Sequence, residues 1–213
     1  MTINFQKLAQ IDKDLEKFPH SELLIVTKNQ SIADIEKLCN LGYTSFGENR
    51  VQEAQKKFYP NIKNQYKDIS LHLIGPLQSN KVKAALEIFD VIQSVDRKKI
   101  TDAIAKELQS VLNVKTKSFF IQINIGSEEQ KSGINLDEVE DFYHYNLNLN
   151  LNVKGFMCIP PNNSDPNKFF DLMNNFREKI NPNLLLSMGM SSDYLEALQQ
   201  KSNLIRVGSS IFN

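Results

Sequence analysis

The chain has 213 residues, with 25 basic and 25 acidic side chains, zero formal net charge, 41% hydrophobic and 23% charged residues. That composition is ordinary for a globular chain, and the length suits a single domain spanning residues 1–213. With no surplus of Lys and Arg to neutralise phosphates, no nucleic-acid partner is expected, and with no apolar run of bilayer length no membrane span is expected either.

The first predicted helix covers residues 2–18, where Phe5, Leu8, Ile11, Leu15 and Phe18 recur at spacings of three and four; Pro19 limits its continuation. This N-terminal stretch carries acidic residues and no long apolar run, so it does not read as a secretory signal. Residues 23–27 form a continuous β-rich run, as expected of a strand covered on both faces. Ser31 caps a helix carrying Ile32, Ile35, Leu38 and Cys39, closed near Gly42. A second strand is predicted at 43–46, with a helix starting near Asn49. Further strands are predicted at 71–74, 91–94, 119–125, 153–158, 184–187 and 204–207, and helical segments near 80–88, 97–112, 135–145, 166–180 and 192–201. The alternating stretch 146–152 (NLNLNLN) reads as a loop entering the sixth strand. Strands alternating with helices imply a parallel sheet with right-handed crossovers, and eight such units point to a compact (β/α)₈ TIM barrel. An open doubly wound sheet is the alternative. Cys39 and Cys158, isolated from each other, suit a reducing, cytoplasmic setting without disulfides. His20, His72 and His144 show no metal-ligand spacing, so no metal site is expected.

A barrel enzyme builds its site at the C-terminal ends of its strands. The predicted strands deliver Lys28, the Glu48-Asn49-Arg50 cluster, the GPLQSNK segment 75–81, Asp96-Arg97, Lys131-Ser132-Gly133, Met157 with Cys158, Ser187–Ser191 and Arg206–Ser210 to one rim. Lys28 ends an apolar strand. It reads as a solvated lysine or as a Schiff-base lysine, since desolvation at a barrel mouth favours the neutral, nucleophilic amine. The loops after strands seven and eight are where barrels often hold phosphate on loop amides. Gly189 and Gly208 permit close approach of an anion, and Ser191, Ser209 and Ser210 offer hydroxyls. Ordinary turns with capping serines are the alternative there. The charged Glu48-Asn49-Arg50 and Asp96-Arg97 clusters read as substrate clamps or as caps and surface pairs. Gln78 to Lys81 read as a loop capping a helix, and Met157 and Cys158 as core or wall residues.

The segments LLIVTK, FGENRVQEA, LHLIGPLQSNK, IQSVDR, INIGSEEQKSG, GFMCIP, SMGMSSD and IRVGSSIF resemble, in order and spacing, the pyridoxal phosphate homeostasis proteins, single-domain relatives of the alanine racemase barrel. The resemblance covers residues 21–212. It implies a barrel of the alanine racemase N-terminal type, with an extra N-terminal helix, holding pyridoxal 5′-phosphate (PLP) as an internal aldimine on Lys28. It also implies a phosphate site at Ser191, Gly208 and Ser209, with Arg206 facing the ring nitrogen and Asn49 near the 3′-oxygen; Gln78 to Lys81 would also line the cavity. Four positions depart from the pattern. Asn29-Gln30 follow the lysine where Thr or Lys and then Pro are usual, Ser209 stands for Thr, and Asn213 for Gly.

A guanidinium only donates, so a ring nitrogen opposite Arg206 stays unprotonated and the ring is a weak electron sink. Racemisation also needs acid–base groups on both faces of the substrate carbon. The resembled racemases take one of these from a second β domain, whereas this chain ends six residues beyond the last predicted strand. The expectation is therefore a cytoplasmic, monomeric PLP carrier serving vitamin B6 homeostasis, without robust turnover and with PLP-dependent apo-enzymes as the partners considered. A weak amino-acid racemase or related PLP enzyme is one alternative. A barrel for phosphate ligands that uses Lys28 as a plain charge is another.

Overall fold

A computed structural model describes residues 3–162 and 164–212, with the backbone alone at Pro60. Thr2, at the start of the predicted first helix, and Asn213 lie outside the described residues. Eight parallel strands close into one barrel in the order β1 to β8, with β1 hydrogen-bonded to both β2 and β8. They are β1 (Glu22–Val26), β2 (Ser45–Glu48), β3 (Ser70–Leu73), β4 (Val91–Val95), β5 (Ser118–Ile123), β6 (Val153–Cys158), β7 (Leu185–Ser187) and β8 (Leu204–Val207).

The helices are α1 (Phe5–Leu15), α2 (Ile32–Asn40), α3 (Val51–Lys57), the single turn α4 (Lys63–Gln65), α5 (Val82–Ile88), α6 (Lys98–Leu108), α7 (Val139–Asn148), α8 (Pro166–Ile180) and α9 (Tyr194–Gln199). α1 starts where the Asn4 side chain accepts from the Lys7 amide at 3.0 Å, and it turns Leu8 and Ile11 inward. It stops at Leu15, short of the predicted Phe18, because the chain tightens into i→i+3 bonds from Lys17 to Asp14 and from Phe18 to Leu15. The layer between strands and helices is aromatic: Phe46, Phe58, Phe89, Phe142, Phe156 and Phe170 are fully buried, each contributing roughly 1.5–3 kcal/mol of burial free energy.

Two predicted elements are corrected. β2 runs two residues later than expected, over Ser45–Glu48, because its pairing with β3 sets Ser45 opposite Ser70 and Glu48 opposite Leu73. Glu48 is therefore a buried strand residue, neither a helix cap nor a clamp in a loop. The NLNLNLN stretch is not a loop throughout. Asn146–Asn148 finish α7, held by the Asn146 side chain, which accepts from Thr101 Oγ1 at 3.0 Å and donates to the Phe142 carbonyl at 2.7 Å. Asn150 then turns the chain at φ 60°, a conformation asparagine tolerates.

Candidate functional site

The C-terminal ends of β1, β2, β7 and β8 surround a cavity of about 200 Å³. Lys28, Asn49, Ser191, Arg206, Gly208 and Ser209 all line it, so the structure brings these six residues together, while Gly189 and Ser210 are not among its lining residues. Val26, Ile74, Ile159 and Met190 complete the wall. The sequence reading gave these apolar residues no role in the site, because nothing in their type distinguishes them from core. Among the described residues, no group of His, Cys, Asp and Glu stands where it could hold a metal ion. No described helix is long and apolar enough to cross a membrane.

Lys28 sits in a tight turn after β1, closed by the Gln30 amide donating to the Thr27 carbonyl at 3.0 Å. Asn29 occupies the left-handed region at φ 61°, a conformation asparagine tolerates. Lys28 is exposed at the cavity mouth and not desolvated as expected. What is desolvated lies beneath it. Glu48, 0% exposed, accepts from Thr27 Oγ1 at 2.7 Å and from Lys57 Nζ at 3.0 Å. Lys57 Nζ also donates to the Thr27 carbonyl at 2.6 Å and pairs with Glu53, which in turn accepts from the Asn29 amide at 2.6 Å. Burial pushes the Glu48 carboxyl above its ordinary range, opposed by Thr27 and Lys57. The lysine-bearing turn thus rests on a buried ionic base that the sequence reading missed. A signal was present in Glu53 and Lys57, an i,i+4 pair on α3.

Asn49 follows β2 directly. Its backbone is packed against Gly75, where an added Cβ would lie 2.3 Å from the Asn49 carbonyl oxygen. Asn49 also borders two neighbouring hollows, of about 500 and 300 Å³. Arg50, Gln78 and Lys81 line the first of these and not the Lys28 cavity. Ser79–Lys81 form a 3₁₀ turn leading into α5. Asp96 is buried and paired with Arg97, whose Nη2 donates to the Leu77 carbonyl at 3.1 Å, so this cluster fastens a loop. Met157 and Cys158 are fully buried, and burial pushes the Cys158 thiol up to about 12, which fits a wall residue.

On the far side, Ser209 Oγ donates to Ser191 Oγ at 3.0 Å, and the Ser210 amide donates to the same oxygen at 3.3 Å. The Ser210 hydroxyl is buried without a partner. Gly208 is packed on β1, where a Cβ would meet the Val26 carbonyl oxygen at 2.7 Å. Arg206 is held from behind. Nη1 donates to the Ser187 carbonyl at 2.6 Å and to Ser187 Oγ at 3.0 Å, and Nη2 donates to the Cys158 carbonyl at 2.8 Å. The cavity therefore offers an amine at one wall, hydroxyls and loop backbone at the other, and a donor-only guanidinium.

The alanine racemase N-terminal domain family matches residues 5–213. The chain is 39% identical to the pyridoxal phosphate homeostasis protein of Pasteurella multocida, over 100% of this chain and 97% of that protein. PipY of Synechococcus elongatus without PLP superposes with a TM-score of 0.86 at 30% identity, covering 98% of this chain and 99% of PipY. PipY with PLP bound gives 0.83 at 29% identity, with the same coverage. On its sequence and its closed barrel alike, the chain belongs to the pyridoxal phosphate homeostasis protein family, built on the alanine racemase N-terminal domain.

Proposed function

We propose that this chain binds pyridoxal 5′-phosphate in the Lys28 cavity and serves vitamin B6 homeostasis by holding and releasing it, without robust turnover of its own. The observation that carries the reading is the convergence of Lys28, Arg206 and the serine loops on one cavity. It is supported by a family in which PipY has been solved with PLP bound. The residues fit the group. The Ser191 and Ser209 hydroxyls and the side-chain-free Gly208 on the cavity wall suit a phosphate, and the donor-only Arg206 suits an unprotonated ring nitrogen. Lys28 would supply the amine that holds the cofactor's aldehyde carbon as a Schiff base, with the aldehyde oxygen lost as water, and Asn49 would stand beside the ring. Bound, the cofactor supplies an electrophilic carbon and an electron-withdrawing ring.

Lys28 and Arg206 are the titratable side chains among the described lining residues, and a guanidinium cannot act as a base. A two-base racemisation therefore lacks its second base, which supports carriage over catalysis. In this reading the chain is one domain over residues 1–213, monomeric and cytoplasmic, and PLP-dependent apo-enzymes receive the cofactor.

Borohydride reduction of the PLP-saturated protein, followed by intact mass and peptide mapping, tests the reading. The expected result is one pyridoxyl group on Lys28, absent in Lys28→Ala. An unmodified Lys28 at saturation overturns the covalent assignment. Incubation with single L-amino acids tests the absence of turnover: formation of D-isomers or keto acids at about 1 s⁻¹ or faster overturns it.

A further inference from the structure

Behind Arg206 a polar chain crosses the inside of the barrel. Ser187 Oγ, which accepts from Arg206 Nη1, itself lies 2.6 Å from Gln93 Oε1. Gln93 Nε2 lies 2.8 Å from His72 Nδ1, and His72 Nε2 lies 2.9 Å from Ser70 Oγ. The members come from β8, β7, β4 and β3, and β4 and β7 are not neighbours in the sheet, so they meet only across the interior. Ser187 and Gln93 are fully buried and His72 is 5% exposed. Ser70 is the first residue of β3, at the end of the barrel away from the cavity.

Donor counting orients every bond. Arg206 has no lone pair to offer, so the single Ser187 proton goes to Gln93 Oε1. The Gln93 amide group then faces His72, and Nδ1 must accept. Burial pushes His72 down to about 4, with Asp90 raising it and Lys63 lowering it, so the ring is neutral near pH 7. Asp90 and Lys63 pair with each other, and the other partners of His72, Gln93 and Ser70, are neutral. One proton remains for the ring, on Nε2, and it goes to Ser70. All four donors point away from Arg206, the arrangement in which successive hydrogen bonds strengthen one another.

We infer that Ser187, Gln93 and His72 form a one-directional positioning chain that holds the Arg206 guanidinium against the ring nitrogen of the bound cofactor. The inference rests on the reading of Arg206 as the partner of that nitrogen. Its consequence is long-range. If His72 Nδ1 carried a proton, it would face the Gln93 amide group donor to donor. Gln93 would have to turn over, Ser187 would lose its acceptor, and Arg206 and Gln93 would compete for one Ser187 oxygen.

Nitrogen-15 NMR of the ligand-free protein at pH 7 is the first test. It should show His72 Nδ1 unprotonated and Nε2 protonated; the opposite tautomer overturns the chain. The second test measures affinity for PLP and for its 1-deaza analogue, in which a CH replaces the ring nitrogen. Gln93→Leu should weaken PLP about tenfold and leave the analogue within about threefold. Gln93→Glu, which keeps the acceptor for Ser187 and offers a second one to an imidazolium, should hold PLP within about threefold of the unaltered protein and show doubly protonated His72. If Gln93→Leu weakens both ligands equally, or neither, the positioning role is lost while the reading of the cavity stands. If the unaltered protein binds the analogue as tightly as PLP, Arg206 is not the ring-nitrogen partner and the inference falls with it. If it binds no PLP, the proposed function falls as well.

Discussion

Replacing Lys57 with Met is expected to cost about 3–5 kcal/mol of folding free energy at neutral pH, read as a lower urea midpoint at unchanged m-value. Among the described residues, Lys57 is the single cation paired with a fully buried carboxylate whose other oxygen, Oε2, has no partner. Methionine fills the space and removes the charge, leaving the buried Glu48 carboxyl with the Thr27 hydroxyl as a partner and Glu53 as a like-charged neighbour. The pH dependence follows from the direction of the Glu48 shift. Its carboxyl is already raised by burial, so the folded protein binds that proton more tightly than the unfolded chain does. The stability this supplies is fully present below the unfolded value and is lost as pH rises through the folded one. Without Lys57 the folded value rises further, so the deficit of the variant shrinks as the solution is acidified. Glu53 acts in the same sense: burial raises its carboxyl, but Lys57 and the Asn29 amide outweigh that and hold it low. The stabilisation it draws from Lys57 is fully present above its unfolded value and is lost as pH falls through the folded one. Adding Glu48→Gln to Lys57→Met should recover more than half of the loss, since a neutral amide still accepts from Thr27 and needs no cation. A deficit that is flat between neutral and acid pH would show that Glu48 is not the group left unpaired. The same variant removes the Lys57 bond to the Thr27 carbonyl, so the Lys28 turn loosens and PLP dissociates faster.

The site was legible where strand-end logic applies. Lys28, Asn49, Ser191, Arg206, Gly208 and Ser209 each follow or end a strand, and closure of the barrel alone carries such positions to one rim. What lies under that rim was not legible, because it depends on partners far apart in the chain. Gln93 takes its role from Ser187, 94 residues away, and Glu48 shares Thr27, 21 residues back. The register of β2 was misread for the same reason. Tyr43 and Thr44 carry more β propensity than Gly47 and Glu48, and the pairing with β1 and β3 overrides it. The stretch 146–152 misled in another way: its polar asparagines read as a loop, yet Asn146 is fully buried in the last turn of α7 with its amide donating to the Phe142 carbonyl. Asn29 lies between these cases. Its place directly after Lys28 was visible, while its left-handed torsion was not.

Gly208→Ala is expected to weaken PLP at least about tenfold, with a stability loss of about 1–3 kcal/mol. The effect is one of space and not of torsion, because Gly208 is not among the glycines with positive φ. A Cβ there would lie 2.7 Å from the Val26 carbonyl oxygen and 2.9 Å from Val26 Cβ, both firmly part of β1. β8 and β1 must then separate by several tenths of an ångström where β1 leads into Lys28 and β8 leads into Ser209. One methyl group therefore moves the amine and the phosphate loop apart. Gly42→Ala is the matching control. Gly42 sits at φ 92° with nothing within 4 Å of an added Cβ, so alanine meets backbone strain and no neighbour. It should lose about 1 kcal/mol of stability and leave PLP affinity unchanged, since the α2–β2 turn is remote from the cavity lining. Thermal unfolding and equilibrium PLP binding of the two variants separate the effects. If Gly208→Ala loses stability yet binds PLP as the unaltered protein does, the spacing between β1 and β8 does not set the site, and the phosphate must be held elsewhere.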